Sequence, residues 1–251
     1  YDNDSNHHNG ICNIWINGEH PPGHVHFDTK PYDSYGEPRL DPNALSISRD
    51  AQKLVFAERN NLYSTHHTGA NWHLITSTGA PSYTEVEYVD VSDSGDLASF
   101  SYPTEWGNRE TTVLYSAFLH SYEITNLTVA TGLTTIFECA RTSPDGKWIA
   151  TIALDPSRPE GSKQQRRIVL IRPDDGYFQW LDTGNIYPIY DDAGTGTLCF
   201  TSDSKSIIFA GKDHTVATYT DIFAVDIAEL HPNLRNLTNT PDVGEGSLVL
   251  R

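Results

Sequence analysis

The sequence predicts an all-β domain made from one four-stranded antiparallel unit repeated four times, with a further incomplete unit divided between the two ends. Three observations lead there. Apolar residues, 37% of the 251, fall in short runs separated by Gly, Pro, Asn and Asp. A polar turn with a central Asp recurs four times, and an apolar run follows each turn at the same spacing. Further apolar segments then follow at matching places.

The turns come first. Four segments align: Ser48–Phe56, Val91–Ser99, Ser143–Thr151 and Thr201–Phe209, anchored on Asp50, Asp93, Asp145 and Asp203. An Asp side chain accepts backbone N–H groups two residues on, and Gly tolerates positive φ, so these are inexpensive reversals. The flanking runs are rich in β-branched and aromatic residues, as strands require.

A third strand is expected at Leu62–Thr65, Val113–Phe118, Ile168–Arg172 and Ile222–Ile227. A fourth is expected at Trp72–Thr76, Tyr122–Leu127, Tyr177–Leu181 and Leu234–Thr238. The units therefore span about 44–77, 85–127, 134–183 and 196–238. A sheet of this size cannot bury its own faces, so the units must stack radially. Segments 1–28 and 246–251 carry strand-like runs, Asn13–Asn17, His24–Asp28 and Ser247–Leu250, that would close the ring or belong to a larger one. The larger ring is the favoured expectation.

Ser143-Pro-Asp-Gly-Lys147 resembles the turn of the TolB-like, WD40-related β-propeller repeat. Asp221–Asp226 followed by Leu234-Arg-Asn-Leu-Thr238 resembles its third and fourth strands. Four copies in register cover nearly the whole chain. The resemblance implies a β-propeller, with the loops between strands two and three and between blades gathered on one face around a central funnel, and the Asp turns on the other.

Composition narrows the partners. The formal net charge of -16 repels phosphate backbones, so nucleic acid is not expected. No apolar run reaches the about 18 residues of a membrane span. The chain opens on Tyr1 and contains no Met, from which a removed leader, a longer upstream segment or a fragment is expected. An exported protein, secreted or periplasmic, is the favoured reading. Cys12, Cys139 and Cys199 have no metal-ligand spacing; a Cys139–Cys199 disulfide is conceivable, with free thiols the expected state. Sequons occur at Asn3, Asn126 and Asn236, the last two within Asn-Leu-Thr strand endings.

Candidate ligand-binding residues sit in the segments assigned to the funnel loops. Tyr102, Trp106 and Arg109 share one; Arg158, Lys163, Arg166 and Arg167 another; His214 and Tyr219 a third; Tyr187 and Tyr190 an inter-blade loop. Aromatic faces beside planar donors suit sugar rings and peptides alike. The blander reading packs these tyrosines loop against loop and leaves the basic cluster solvated. For a metal, His24 and His26 would share one strand face, and His66 and His67 would lie with His73 across a short hairpin; a divalent cation is the cofactor such a set would hold. Asp2, Asp4 and Asn6 resemble the start of a calcium loop without its closing Glu. No GxSxG elbow, P-loop or GxGxxG fingerprint occurs.

The expected function is a binding module that recognises a protein or glycan at the funnel, alone or within a larger chain or assembly. The alternative is a polysaccharide lyase, in which His, Tyr and Arg neutralise a uronate and move its proton.

Overall fold

The computed structural model describes residues 44–58, 61–66, 73–77, 88–105, 108–133, 140–189, 198–213, 220–227 and 233–238, with Val86 and Thr215. The segments 1–28 and 246–251 assigned to a closing unit lie outside these residues.

Four antiparallel sheets follow one another along the chain. The first holds β1 (Ala44–Ile47), β2 (Lys53–Glu58), β3 (Asn61–His66) and β4 (His73–Ser77), hydrogen-bonded in that order. The second holds β5 (Tyr88–Val91), β6 (Leu97–Glu105), β7 (Asn108–Phe118) and β8 (Ile124–Asn126). A short helix α1 (Leu127–Thr131) leads to the third, made of β9 (Arg141–Thr142), β10 (Ile149–Leu154), β11 (Arg166–Ile171) and β12 (Phe178–Trp180). In the fourth, β13 (Ile186–Pro188) and β14 (Leu198–Phe200) both pair with β15 (Ser206–Asp213), followed by β16 (Asp221–Asp226) and β17 (Leu234–Asn236).

The core lies between sheets, as radial stacking requires. Val55, Ala57 and Leu62 meet Val89, Phe100 and Ala117 between the first and second sheets. Leu97, Leu114 and Leu127 meet Ile149, Val169 and Ile171 between the second and third. Ile152, Ile168 and Leu170 meet Phe200, Ile207 and Phe209 between the third and fourth. Strand β11 shows why its sequence is a continuous apolar run rather than an alternating one. Ile168 and Leu170 face the fourth sheet, whereas Val169 and Ile171 face the second, so both of its faces are buried. Each fully buried Ile or Phe contributes about 1.5–3 kcal/mol.

The turns after the first strands repeat in atomic detail. Ser143 Oγ donates to Asp145 Oδ1 at 2.8 Å and accepts the Trp148 N–H at 2.9 Å, and Asp145 Oδ1 accepts the Lys147 N–H at 3.2 Å. Ser48 with Asp50 and Thr201 with Asp203 make the same set. The residue after each Asp is left-handed: Ala51 at φ 58°, Gly146 at 69° and Ser204 at 58°.

The second copy differs from the expected alignment. Its left-handed residue is Gly95 at φ 72°, and Ser92 Oγ accepts the Leu97 N–H at 3.2 Å. The turn thus sits one residue later than the anchor Asp93 implies, and Ser94 occupies the Asp position. Asp93 instead pairs with Arg49 of the preceding turn at 3.2 Å.

The Asn-Leu-Thr endings also have a structural role. Thr128 Oγ1 accepts the Leu114 N–H at 2.8 Å, and Thr238 Oγ1 accepts the Ile222 N–H at 3.0 Å, extending each outer ladder past its last strand. Asn126 caps α1 by accepting the Val129 N–H at 3.0 Å.

Candidate binding site on the loop face

The antiparallel order carries the connections β2–β3, β6–β7, β10–β11 and β15–β16 to one face, together with the links between sheets. The Asp turns lie on the opposite face. On the loop face, the β10–β11 connection is built around Asp155, whose carboxylate is nearly inaccessible. Its Oδ1 accepts the Ser157 N–H at 2.9 Å and hydroxyl at 2.7 Å, an Asx turn written into Asp-Pro-Ser. Its Oδ2 accepts Arg167 Nη1 at 2.7 Å. Burial pushes this carboxyl up, but the bonds from Ser157 and Arg167 outweigh it and hold Asp155 below the usual carboxylate range. Arg167 also donates to the Leu181 carbonyl at 3.0 Å and lies 5.6 Å over the Trp180 ring. It is a strut of the connection.

The facing wall comes from the link to the fourth sheet. Thr183 Oγ1 donates to the Ile186 carbonyl at 2.7 Å, and the Gly184 N–H reaches Asp182 Oδ1 at 3.0 Å. This turn delivers β13 onto β15, with Tyr187 opposite Lys212. The Lys163 ammonium rests 5.6 Å over the Tyr187 ring. Between the two walls lies a pocket of about 60 Å³ lined by Arg158, Gln164, Arg166, Asp182, Asn185 and Tyr187. That volume holds one small polar group or a few waters.

Of the residues singled out in the sequence, Arg158 and Arg166 line this pocket together. Tyr102 lies elsewhere. The segment Ser101–Thr112, read as a loop, is mostly strand, because β6 runs to Glu105 and β7 starts at Asn108. Tyr102 is 3% exposed and packs edge-on to Phe100 and Tyr115, with ring centroids at 5.9 and 5.8 Å. Its ring is part of the layer between the first two sheets. Arg109 belongs to β7, but its side chain lies outside the described set, as do Trp106, Tyr190, His214, Tyr219, His24 and His26. His66 ends β3 on the Asp-turn side, where its Nε2 is 2.9 Å from Gln52 Oε1, away from the loop face. His73 lies against Tyr122 at 5.1 Å. Among the described residues no three His, Cys, Asp or Glu side chains converge as a metal-binding group.

A second polar constellation, absent from the sequence reading, lines the first strands. The first strands of successive sheets lie against one another, and the residue two places before each turn's Ser or Thr is Ser46, Asp90, Arg141 or Cys199. Ser46 Oγ accepts the Val91 N–H at 3.1 Å, joining the first sheet to the second. Asp90 Oδ2 accepts the Thr142 N–H at 2.7 Å, joining the second to the third. Burial pushes Asp90 up to about 7, against the opposing pull of its bonds from Thr142. Arg141 breaks the series, since a guanidinium cannot accept. It lies 4.8 Å over the Tyr88 ring, and burial pushes it down to about 10. Cys199 carries a free thiol, pushed up to about 11 by burial with Arg141 opposing the shift. Aligning the four repeats and reading down the column two places before the turn would have found this set.

No family model matches the chain, and no curated protein matches its sequence. Solved structures do resemble it. A putative TolB from Agrobacterium tumefaciens gives a TM-score of 0.50 at 16% identity, over 76% of this chain and 62% of that one. Dipeptidyl peptidase 4 of Porphyromonas gingivalis gives 0.55 at 11% identity, over 78% of this chain and 32% of that one. A structure from a study of two prolyl endopeptidases gives 0.52 at 12% identity, over 76% and 28%. The chain thus spans about three fifths of the TolB length and a third or less of the peptidases. At such identities the likeness is one of fold.

Proposed function

We propose that this chain, a TolB-like β-propeller by fold, is a binding module that engages a protein or glycan partner through its loop face. The observation that carries the reading is the pocket between the third and fourth sheets, lined by Arg158 of the β10–β11 connection, Arg166 at the start of β11 and Tyr187 of β13. Its walls are held by Arg167, Asp155 and Thr183, so the lining side chains stand on a rigid support. Planar donors beside an aromatic face suit the hydroxyl-rich edge of a sugar or the polar side chain of a protein. We place this partner outside the cytoplasm, consistent with the expectation of export. No helix among the described residues is long and apolar enough to cross a membrane.

The test is calorimetric titration of the chain with neutral oligosaccharides, acidic oligosaccharides and peptides. One class should bind, and the double variant Arg158→Ala, Tyr187→Ala should weaken it at least about tenfold with an unchanged unfolding midpoint. Binding that survives the double variant, or no binding by any class, overturns the reading. Fractionation of the source cells tests the export.

A further inference from the structure

We propose that Arg141 forms the core of a carboxylate-binding site on the inner edge of the ring, where an acid group of a ligand is gripped by the guanidinium and by the backbone N–H of Phe200. The site lies apart from the loop-face pocket, and it stands or falls independently of that reading.

The first strands contain the precedent for this geometry. A first strand bonds to its second strand along one edge only, so alternate N–H groups point away from the sheet. The sheet-to-sheet links described above satisfy two of them. Ser46 accepts the N–H of Val91, and the carboxylate of Asp90 accepts that of Thr142. Phe200 is the next in the series. It pairs with Ile207 as Thr142 pairs with Ile149, and the following Thr201 N–H turns inward to Ser206 as Ser143 turns to Trp148. The Phe200 N–H therefore faces outward like that of Thr142. The residue that should accept it, by position, is Arg141, which has only donors.

Among the described residues, two donors stand at this junction where the earlier junctions have a donor and an acceptor. Among the described residues Arg141 has no hydrogen-bond or ion-pair partner; its guanidinium lies over the Tyr88 ring at 4.8 Å, within electrostatic reach of the Cys199 thiol. This is unusual in a chain with 33 acidic and 17 basic residues, where a carboxylate for a structural arginine would be easy to supply. A half-buried guanidinium without an acceptor is unfavourable, and a carboxylate arriving from outside relieves it. One carboxylate oxygen would take the Phe200 N–H, reproducing the bond that Asp90 makes to Thr142. The other would take the planar fork of Arg141, which lies over the Tyr88 ring. Both a free small acid and an acidic side chain on a peptide carry this chemistry.

The test uses the full chain labelled with ¹⁵N and follows the Arg141 Nε–H and Phe200 N–H resonances. The probes are glutarate and an acetylated, amidated Ala-Glu-Ala peptide, with glutaramide and the Gln peptide as neutral controls. At least one acid probe should shift both resonances saturably, and neither amide should. Tighter binding of the peptide assigns the site to an acidic side chain, and tighter binding of glutarate to a free acid. Arg141→Gln should weaken binding at least tenfold, and Arg141→Lys, which keeps the charge without the fork, less so. The Arg158→Ala, Tyr187→Ala variant should leave these shifts unchanged. Should Arg141→Gln fail to fold, the acid and amide comparison in the unaltered chain still decides. Absence of saturable shifts with both acids, equal shifts with the amides, or shifts that persist in Arg141→Gln would overturn the proposal.

Discussion

The carboxylate of Asp90 accepts the backbone N–H of Thr142 at 2.7 Å, so a side chain of one blade completes the open edge of the next. Desolvation by its surroundings disfavours the ionised form of this carboxyl, against the opposing pull of the Thr142 bonds. Between about pH 4 and 7, folding therefore favours a proton on Asp90 that the unfolded chain releases.

The sign follows directly. A carboxyl raised from 3.8 to about 7 makes the folded state bind more protons than the unfolded state between those values. Stability falls as pH rises across that window. Asp90→Asn keeps an acceptor oxygen for Thr142 and removes the charge. It should raise stability by about 1–2 kcal/mol at pH 8 and by much less at pH 4. Urea midpoints at the two pH values check this; an equal effect at both would refute it.

Asp50, Asp155 and Asp203 act in the opposite sense. Each is held below the usual carboxylate range, Asp50 by the Ser48 hydroxyl and Gln52 N–H, and Asp203 by the Thr201 hydroxyl and Lys205 N–H. Their contribution is present above pH 3.8 and is lost as pH falls through the depressed values. An acid unfolding profile should accordingly become shallower on the low-pH side in Asp50→Asn.

Arg167→Ala should be among the most damaging single changes. Asp155 is 2% exposed and would lose the 2.7 Å bond that balances its burial. The expected loss is about 3–5 kcal/mol, read from the unfolding midpoint. Adding Asp155→Asn should recover part of it, since the buried charge is then gone.

The turns give a paired test of backbone strain. Gly95→Ala places a Cβ at positive φ and 3.0 Å from Lys53 Cβ, so it should cost about 1–2 kcal/mol. Ala51→Gly at the equivalent place relieves a left-handed φ of 58° and should be neutral or stabilising by under about 1 kcal/mol. Equal effects of the two changes would deny their equivalence.

Thr128→Val removes the hydroxyl that accepts the Leu114 N–H while keeping the side-chain shape. Leu114 is fully buried, so the orphaned N–H should cost about 1–3 kcal/mol. Hydrogen exchange at the Leu114 amide should accelerate more than at Leu170, which lies in another layer.

The repeat was legible because the Ser-x-Asp turn has chemistry visible in one residue type, and four antiparallel sheets carry it. What misled was a second acid. Asp93 draws the eye as an anchor, yet the turn is set by Gly95 and the Ser92 hydroxyl, and only their geometry shows the one-residue shift. Pro103, Gly107 and Asn108 read as loop residues, although the β6–β7 ladder absorbs the proline with a register shift between Pro103 and Glu105. Arg158 and Arg166 were legible as a loop cluster, but their meeting with Tyr187 depends on β13, a three-residue strand too short to stand out. Arg141 was passed over because a strand arginine looks like a solvent-facing side chain until the neighbouring blade is in place.

Strand β15 is long enough to carry two separate segments on one edge. Ile186–Pro188 pair with Gly211–Asp213, and Leu198–Phe200 pair with Ile207–Phe209. The chain holds that edge through Ile189, whose N–H donates to the Ala210 carbonyl at 2.9 Å, and rejoins it at Leu198, at neighbouring points of a single template. Closing a longer excursion between two such anchors costs only about 0.6 kcal/mol per doubling of its length. The interval between Ile189 and Leu198 is thus a natural port for grafting: an epitope tag or a reporter peptide inserted there would leave both flanks paired to β15 and the sheet in register.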